Sequence, residues 1–212
     1  MVSMALQGHI NPMLKFAKHL VSKGVHVTIA TTENGQTRML RNTKPSSTNT
    51  NSKNPGIQLE FFSDGLTLEF DRSDTESLVN TIRVQGSKNL STLITHLTKV
   101  NNYSCVIVNP FVPWAIDVAA EHGIPLLWIQ ACATYSIYYR HSKNTDPFPD
   151  LEVPYEKVHL PGLPMFEVKD VPSFILPSTP YYFRRLVREL FEAIDKVNCV
   201  LVLRFMKSRK RL

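Results

Sequence analysis

The chain has 212 residues, 43% of them apolar and 20% charged, a composition that fits one well-packed globular domain and excludes a disordered or fibrous chain. Its formal charge of +6 is concentrated in residues 203–212 (LRFMKSRKRL), which hold five Lys or Arg and no acid and leave 19 basic against 18 acidic residues elsewhere. A nearly neutral body excludes a broad nucleic-acid surface, and no run approaches the ~18 apolar residues of a membrane span.

Val2–Leu6 reads as a short buried strand. Asn11-Pro12 predicts a helix start, because Asn caps and Pro fits the first helical position. Met13, Leu14, Ala17, Leu20 and Val21 then follow helical spacing until Gly24. Residues 25–30 (VHVTIA) form a second strand, so the first thirty residues make a βαβ unit. Residues 43–56 (TKPSSTNTNSKNPG) are polar and predict a loop. A strand follows at 57–62. A helical pattern then covers 74–100, with Leu78, Ile82, Leu90, Leu93, Ile94 and Leu97 toward the core and Gly86 as a point of interruption.

Residues 104–108 predict the next strand. Trp114, Ala115, Val118 and Ala119 share one face of a helix that Gly123 ends. Residues 124–129 predict a strand and 131–139 a helix. Residues 147–180 hold eight of the fourteen prolines and predict a long irregular segment. Helix returns at 181–196, and residues 199–202 (CVLV) predict a last strand. This alternation predicts an α/β fold with a Rossmann-like doubly wound parallel sheet. Ligands of such sheets bind beyond the carboxyl ends of the strands. The strand-end loops are then 7–11, 31–35, 63–73, 109–113 and 130–134.

The three cysteines, Cys105, Cys132 and Cys199, lie in or beside apolar runs without CxxC spacing. They predict buried reduced thiols in a cytoplasmic protein, and no charged segment precedes an apolar run as in a signal peptide. No cluster has metal-ligand spacing, and no GxSxG, P-loop or GxGxxG motif occurs. The KSRKR stretch lacks aromatic residues and a binding fold, so it predicts a solvated tail and no nucleic-acid partner.

His9 follows a glycine at the end of the first strand. It reads either as a structural histidine near a helix start or as a general base, since imidazole titrates near neutrality. The positive helix end would keep it neutral. Four stretches carry a resemblance: QGHINPMLKFAKHLVSKGVHVTIATTE, CVIVNPFVPWAIDVAAEHGIPLLWIQACA, and the shorter HLPGLP and VPSFILP. They resemble the plant UDP-dependent glycosyltransferases of small molecules, in family order over residues 2–202, and in particular the glucose-ester-forming subgroup.

The resemblance implies the N-terminal half of a GT-B fold, with residues 1–202 as an acceptor-binding domain. It implies UDP-glucose as co-substrate, a small carboxylic acid or phenol as acceptor, inversion at the anomeric carbon, and no metal or resident cofactor. It makes His9 the base. The position of the usual Asp partner holds Asn109, which orients the ring without adding negative charge. A base weakened in this way suits a carboxylic acid, already ionised at neutral pH. Asp117 is too far along the next helix to replace the missing Asp.

Gly8, Ile10, Phe111, Trp114, Tyr181, Tyr182 and Phe183 are candidate acceptor contacts, and Gln130 a candidate donor-sugar contact. The family's donor-binding signature is not found, and residues 203–212 diverge from it. The expectation is therefore a chain inactive alone, its cleft face open to self-association. The alternative is a non-catalytic module that binds a small molecule.

Overall fold

The computed structural model describes residues 1–41, 56–67, 69–124, 126–130, 157–158, 165–167 and 178–202. Residues 43–55 of the loop expected at 43–56, the helix expected at 131–139, most of the Pro-rich segment and the tail at 203–212 lie outside the described residues.

Strand β1 (Val27–Thr32) pairs in parallel with β2 (Ile57–Phe62). Strands β3 (Val106–Val108), β4 (Leu126–Gln130) and β7 (Cys199–Val202) also pair in parallel, in the order β3-β4-β7. The first residues join the two groups. Val2 bridges Ala30 on one side and Val108 on the other, both in parallel. Its N–H donates to the Ile107 carbonyl at 2.8 Å, and its own carbonyl accepts from the Asn109 N–H at 2.9 Å. The result is one parallel sheet, β2-β1-(residues 1–3)-β3-β4-β7, which is the doubly wound arrangement. A small antiparallel pair, β5 (Lys157–Val158) and β6 (Phe166–Glu167), lies outside this sheet.

Strand alternation divides the core into two faces. Val27 and Ile29 of β1 pack with Ala17, Leu14, Leu20 and Val21 of α1 (Gln7–Val21). Ile107 of β3 packs with Met13 of the same helix. On the other face, Ala30, Phe62, Val106 and Val108 pack with three more helices. These are α4 (Ser87–Thr98), α5 (Trp114–Glu121) and α6 (Tyr181–Ile194). Leu90, Ala115 and Ala119 are fully buried there. Burying each large aliphatic side chain contributes about 1.5–3 kcal/mol.

The expected core positions of residues 74–100 hold in part. Ile82, Leu90 and Ile94 are buried, and Leu78, Leu93 and Leu97 are half-buried. Gly86 does interrupt the helix. A π-helical turn, Ile82–Gly86, separates α3 (Thr75–Thr81) from α4. A Cβ at Gly86 would lie 3.3 Å from Ile82 and 3.6 Å from the Trp114 ring, so glycine lets these side chains close over it.

Several boundaries differ from expectation. Helix α1 begins at Gln7, one turn before Asn11-Pro12. Buried Ile10 extends its apolar face upstream of Met13 and Ala17, so packing sets the start. Pro12 inside the helix forfeits the bond to the Gly8 carbonyl and crowds it, a cost offset by the burial of Ile10, Met13 and Ala17 on the same helix. The first strand is correspondingly short, and Leu6 becomes the residue before the helix. Val25 belongs to the turn after α1: its N–H closes on the Leu20 carbonyl at 3.1 Å, behind Gly24 at φ +84°. Helix α2 (Glu33–Arg41) occupies a stretch for which only a strand-end loop is expected. The cysteines also differ, since Cys105 is half-buried and Cys199, on the edge strand β7, is exposed. Cys132 lies outside the described residues.

Candidate functional site

The chain winds outward from residues 1–3 in two directions, through β1 and β2 on one side and through β3, β4 and β7 on the other. At such a reversal the helices following the two central strands diverge and leave a crevice at the carboxyl ends. His9, in the first turn of α1, and Asn109, the residue after β3, flank this crevice.

Asn109 is buried, at 4% exposure. Its Oδ1 accepts the Phe111 N–H at 3.1 Å, which fixes the side chain in the loop. The same side chain lies within reach of the His9 imidazole and favours its protonated form. Phe111 presses edge-on against that imidazole, with ring centroids 4.5 Å apart and planes at 70°. Burial lowers the His9 pKa below its ordinary 6.5, and the Asn109 side chain opposes this. The ring is therefore neutral at pH 7. A neutral imidazole carries one ring nitrogen able to accept a proton. The direction agrees with the expected neutral imidazole, but the cause is desolvation.

A cavity of about 200 Å³ lies at the same end of the sheet. Its walls include Ser3 to Leu6, Thr32, Phe62, Arg72, Leu78 and Trp114. A narrow groove of about 20 Å³ shares Met4, Ile82 and Trp114 with it and continues to Phe111 and Tyr182. In its wall Glu189 accepts from Arg83 at 3.0 Å and from Arg185 at 3.1 Å. A larger open concavity of about 810 Å³ faces the amino ends of β1 and β2, at the opposite edge from His9.

The candidate acceptor contacts divide. An added Cβ on Gly8 would meet nothing within 4 Å, so open space lies beside His9. Phe111, Trp114 and Tyr182 line the groove. Phe183 stands behind Phe111, with ring centroids 6.3 Å apart. Ile10 is buried, at 5% exposure, and lines neither the cavity nor the groove. Tyr181 is 68% exposed and also lines neither, because neighbouring helical residues point about 100° apart. Gln130 is the last residue of β4, at the carboxyl end as expected. Asp117 is an exposed surface residue paired with Lys196 at 2.7 Å. Among the described residues, no three His, Cys, Asp or Glu come together as a metal site, and no helix is long and apolar enough to cross a membrane.

Residue reasoning missed the ion pair in the 63–73 loop. Asp64, 4% exposed, bonds Arg72 at 2.7 Å, and Arg72 lines the cavity. The available signal was an acid and a base within one strand-end loop.

No protein-family model matches the sequence. Individual relatives do. UDP-glycosyltransferase 84B2 of Arabidopsis thaliana is 44% identical over all of this chain and 46% of its own length. Gallate 1-beta-glucosyltransferase 84A24 of Punica granatum is 35% identical over 95% of this chain and 40% of its own. Among solved structures, Os79 of O. sativa in complex with UDP superposes with a TM-score of 0.70 at 22% identity, covering 97% of this chain and 46% of that one. A UDP-glucosyltransferase of Polygonum tinctorium capable of glucosylating indoxyl gives 0.73 at 21% identity, over 96% of this chain and 45% of that one. The chain spans about half the length of the relatives it matches. By sequence it is similar to the plant UDP-glycosyltransferases over about half their length, and its fold is the Rossmann-like half of their GT-B architecture.

Proposed function

We propose that this chain is the acceptor-binding half of a UDP-glucose-dependent glycosyltransferase acting on small carboxylic acids, with phenols as poorer acceptors. The observation that carries the reading is the His9–Asn109 pair at the switch point of the sheet. His9 takes the proton of a phenol acceptor, and a carboxylate acceptor arrives already ionised; Asn109 holds the ring with its second nitrogen toward the crevice. The acceptor oxygen attacks the anomeric carbon in line. A new C–O bond forms on one face as the bond to UDP breaks on the other, which inverts the centre. Gln130 contacts the donor sugar. The remaining UDP contacts belong to the half of the relatives that this chain does not match.

Asn109 brings no negative charge, so the imidazolium formed on proton transfer is stabilised less than it would be beside a carboxylate. A carboxylic acid, ionised near pH 4, needs no base at pH 7. The name of the gallate relative, whose substrate is a carboxylic acid, supports the same preference. Phe62 and Trp114, in the wall of the cavity of about 200 Å³, offer the acceptor ring its apolar contacts.

The test is transfer by the full-length enzyme carrying His9→Ala. Loss of the base should reduce kcat/KM for a phenol by about 10²- to 10⁴-fold. The loss for a carboxylic acid should stay below about tenfold. Unchanged phenol transfer would remove His9 from the mechanism.

A further inference from the structure

The cavity of about 200 Å³ is larger than the ~150 Å³ void that accepts a benzene ring in an apolar core. It therefore has room for one substituted ring. Phe62, Leu78, Ile82 and Trp114 supply apolar wall, and Ala5 and Leu6 connect it in sequence to His9. Arg72 and Asn34 are the strong hydrogen-bond donors in its lining. Arg72 is 19% exposed and is held in place by buried Asp64, whose other oxygen accepts the Leu66 N–H at 3.0 Å.

We propose that Arg72 determines acceptor specificity by donating to a neutral oxygen substituent, a hydroxyl or an ether, on the ring of an aromatic carboxylic acid. The inference rests on the carboxylic-acid reading above. The guanidinium has five N–H donors, and the ion pair with Asp64 uses one nitrogen. Asp64 already neutralises its charge. A second carboxylate on the ring would meet the Asp64 carboxylate as well as the guanidinium, whereas a neutral oxygen meets only the donors. The reactive carboxylate is then left at the far end of the ring, toward the residues beside His9.

The experiment is calorimetric titration of the whole chain with benzoate, 4-methoxybenzoate and terephthalate. The wild type should bind 4-methoxybenzoate about tenfold more tightly than benzoate and should show no such gain for terephthalate. Arg72→Met alone strands the Asp64 charge and risks misfolding. The double variant Asp64→Asn with Arg72→Met avoids this. In it the ratio of affinities for 4-methoxybenzoate and benzoate should fall from about ten to about one. Equal loss of both ligands in the double variant would make the pair purely structural and overturn the inference. A wild type without preference, or one that favours terephthalate, would also overturn it. If the wild type binds none of the three acids, the carboxylic-acid reading falls with it.

Discussion

Asn109→Asp is the substitution that asks most of the site. It changes one NH₂ to an oxygen and leaves the shape of the side chain intact. The carboxylate keeps the Phe111 N–H, now accepted at 3.1 Å, and keeps its contact with the His9 ring. What it adds is a negative charge in a position 4% exposed. Two unit charges ~4 Å apart interact by about 4 kcal/mol at an effective dielectric constant of ~20. His9 is half-buried, and the higher effective dielectric on its exposed side reduces this to about 2 kcal/mol. That is more than a tenfold gain in the affinity of the imidazole for a proton. The assay is NMR titration of the His9 ring in this chain, which needs no donor half. The variant should titrate at higher pH than the wild type. In the full-length enzyme, phenol transfer should rise while carboxylate transfer stays level. An unchanged titration would mean that Asn109 does not act on His9, and the proposed division between acceptors would lose its basis.

Three other substitutions test separate parts of the structure. Burial holds His9 below 6.5, so the unfolded chain takes up its proton at higher pH, and stability falls as the pH drops through that value. The melting temperature should therefore rise from about pH 5 to about pH 7, and His9→Gln should flatten that rise; an identical profile would contradict the burial. Gly65 sits at φ +82°, and a Cβ there would come within 2.5 Å of the Gln85 Cβ. Gly65→Ala should thus cost about 2 kcal/mol or more in denaturant unfolding and loosen the loop that carries Asp64; a neutral result would mean that the loop rearranges freely. Asp117→Asn breaks a pair whose side chains are 53% and 60% exposed. It should cost less than about 1 kcal/mol and leave the His9 titration unchanged; a changed titration would bring Asp117 back as a partner.

The parts of this fold legible in the sequence are those set by local rules. Gly24 and Gly123 end their helices with positive φ, and Gly86 interrupts one. The strand at 57–62 and the closing strand at 199–202 stand where apolar runs place them. What misled was tertiary packing overriding a local cue. Asn11-Pro12 has the chemistry of a helix start, yet Ile10 packing into the core starts the helix at Gln7. Helix α2 was hidden because ENGQTRMLR shows no clear apolar stripe. The nearness of His9 and Asn109 is legible in the sequence, since each follows the end of a strand in the parallel sheet. The cavity was not, because its walls come from five separate segments and its ion pair forms only when the 63–73 loop folds back on itself.

The central claim is that a His–Asn pair serves an acceptor already ionised. The direct measurement is kcat/KM of the full-length enzyme for a carboxylic acid and a phenol on the same ring, with UDP-glucose as donor at pH 7. Faster formation of the glucose ester is the result predicted. A phenol glucosylated rapidly while the acid is left untouched would contradict it.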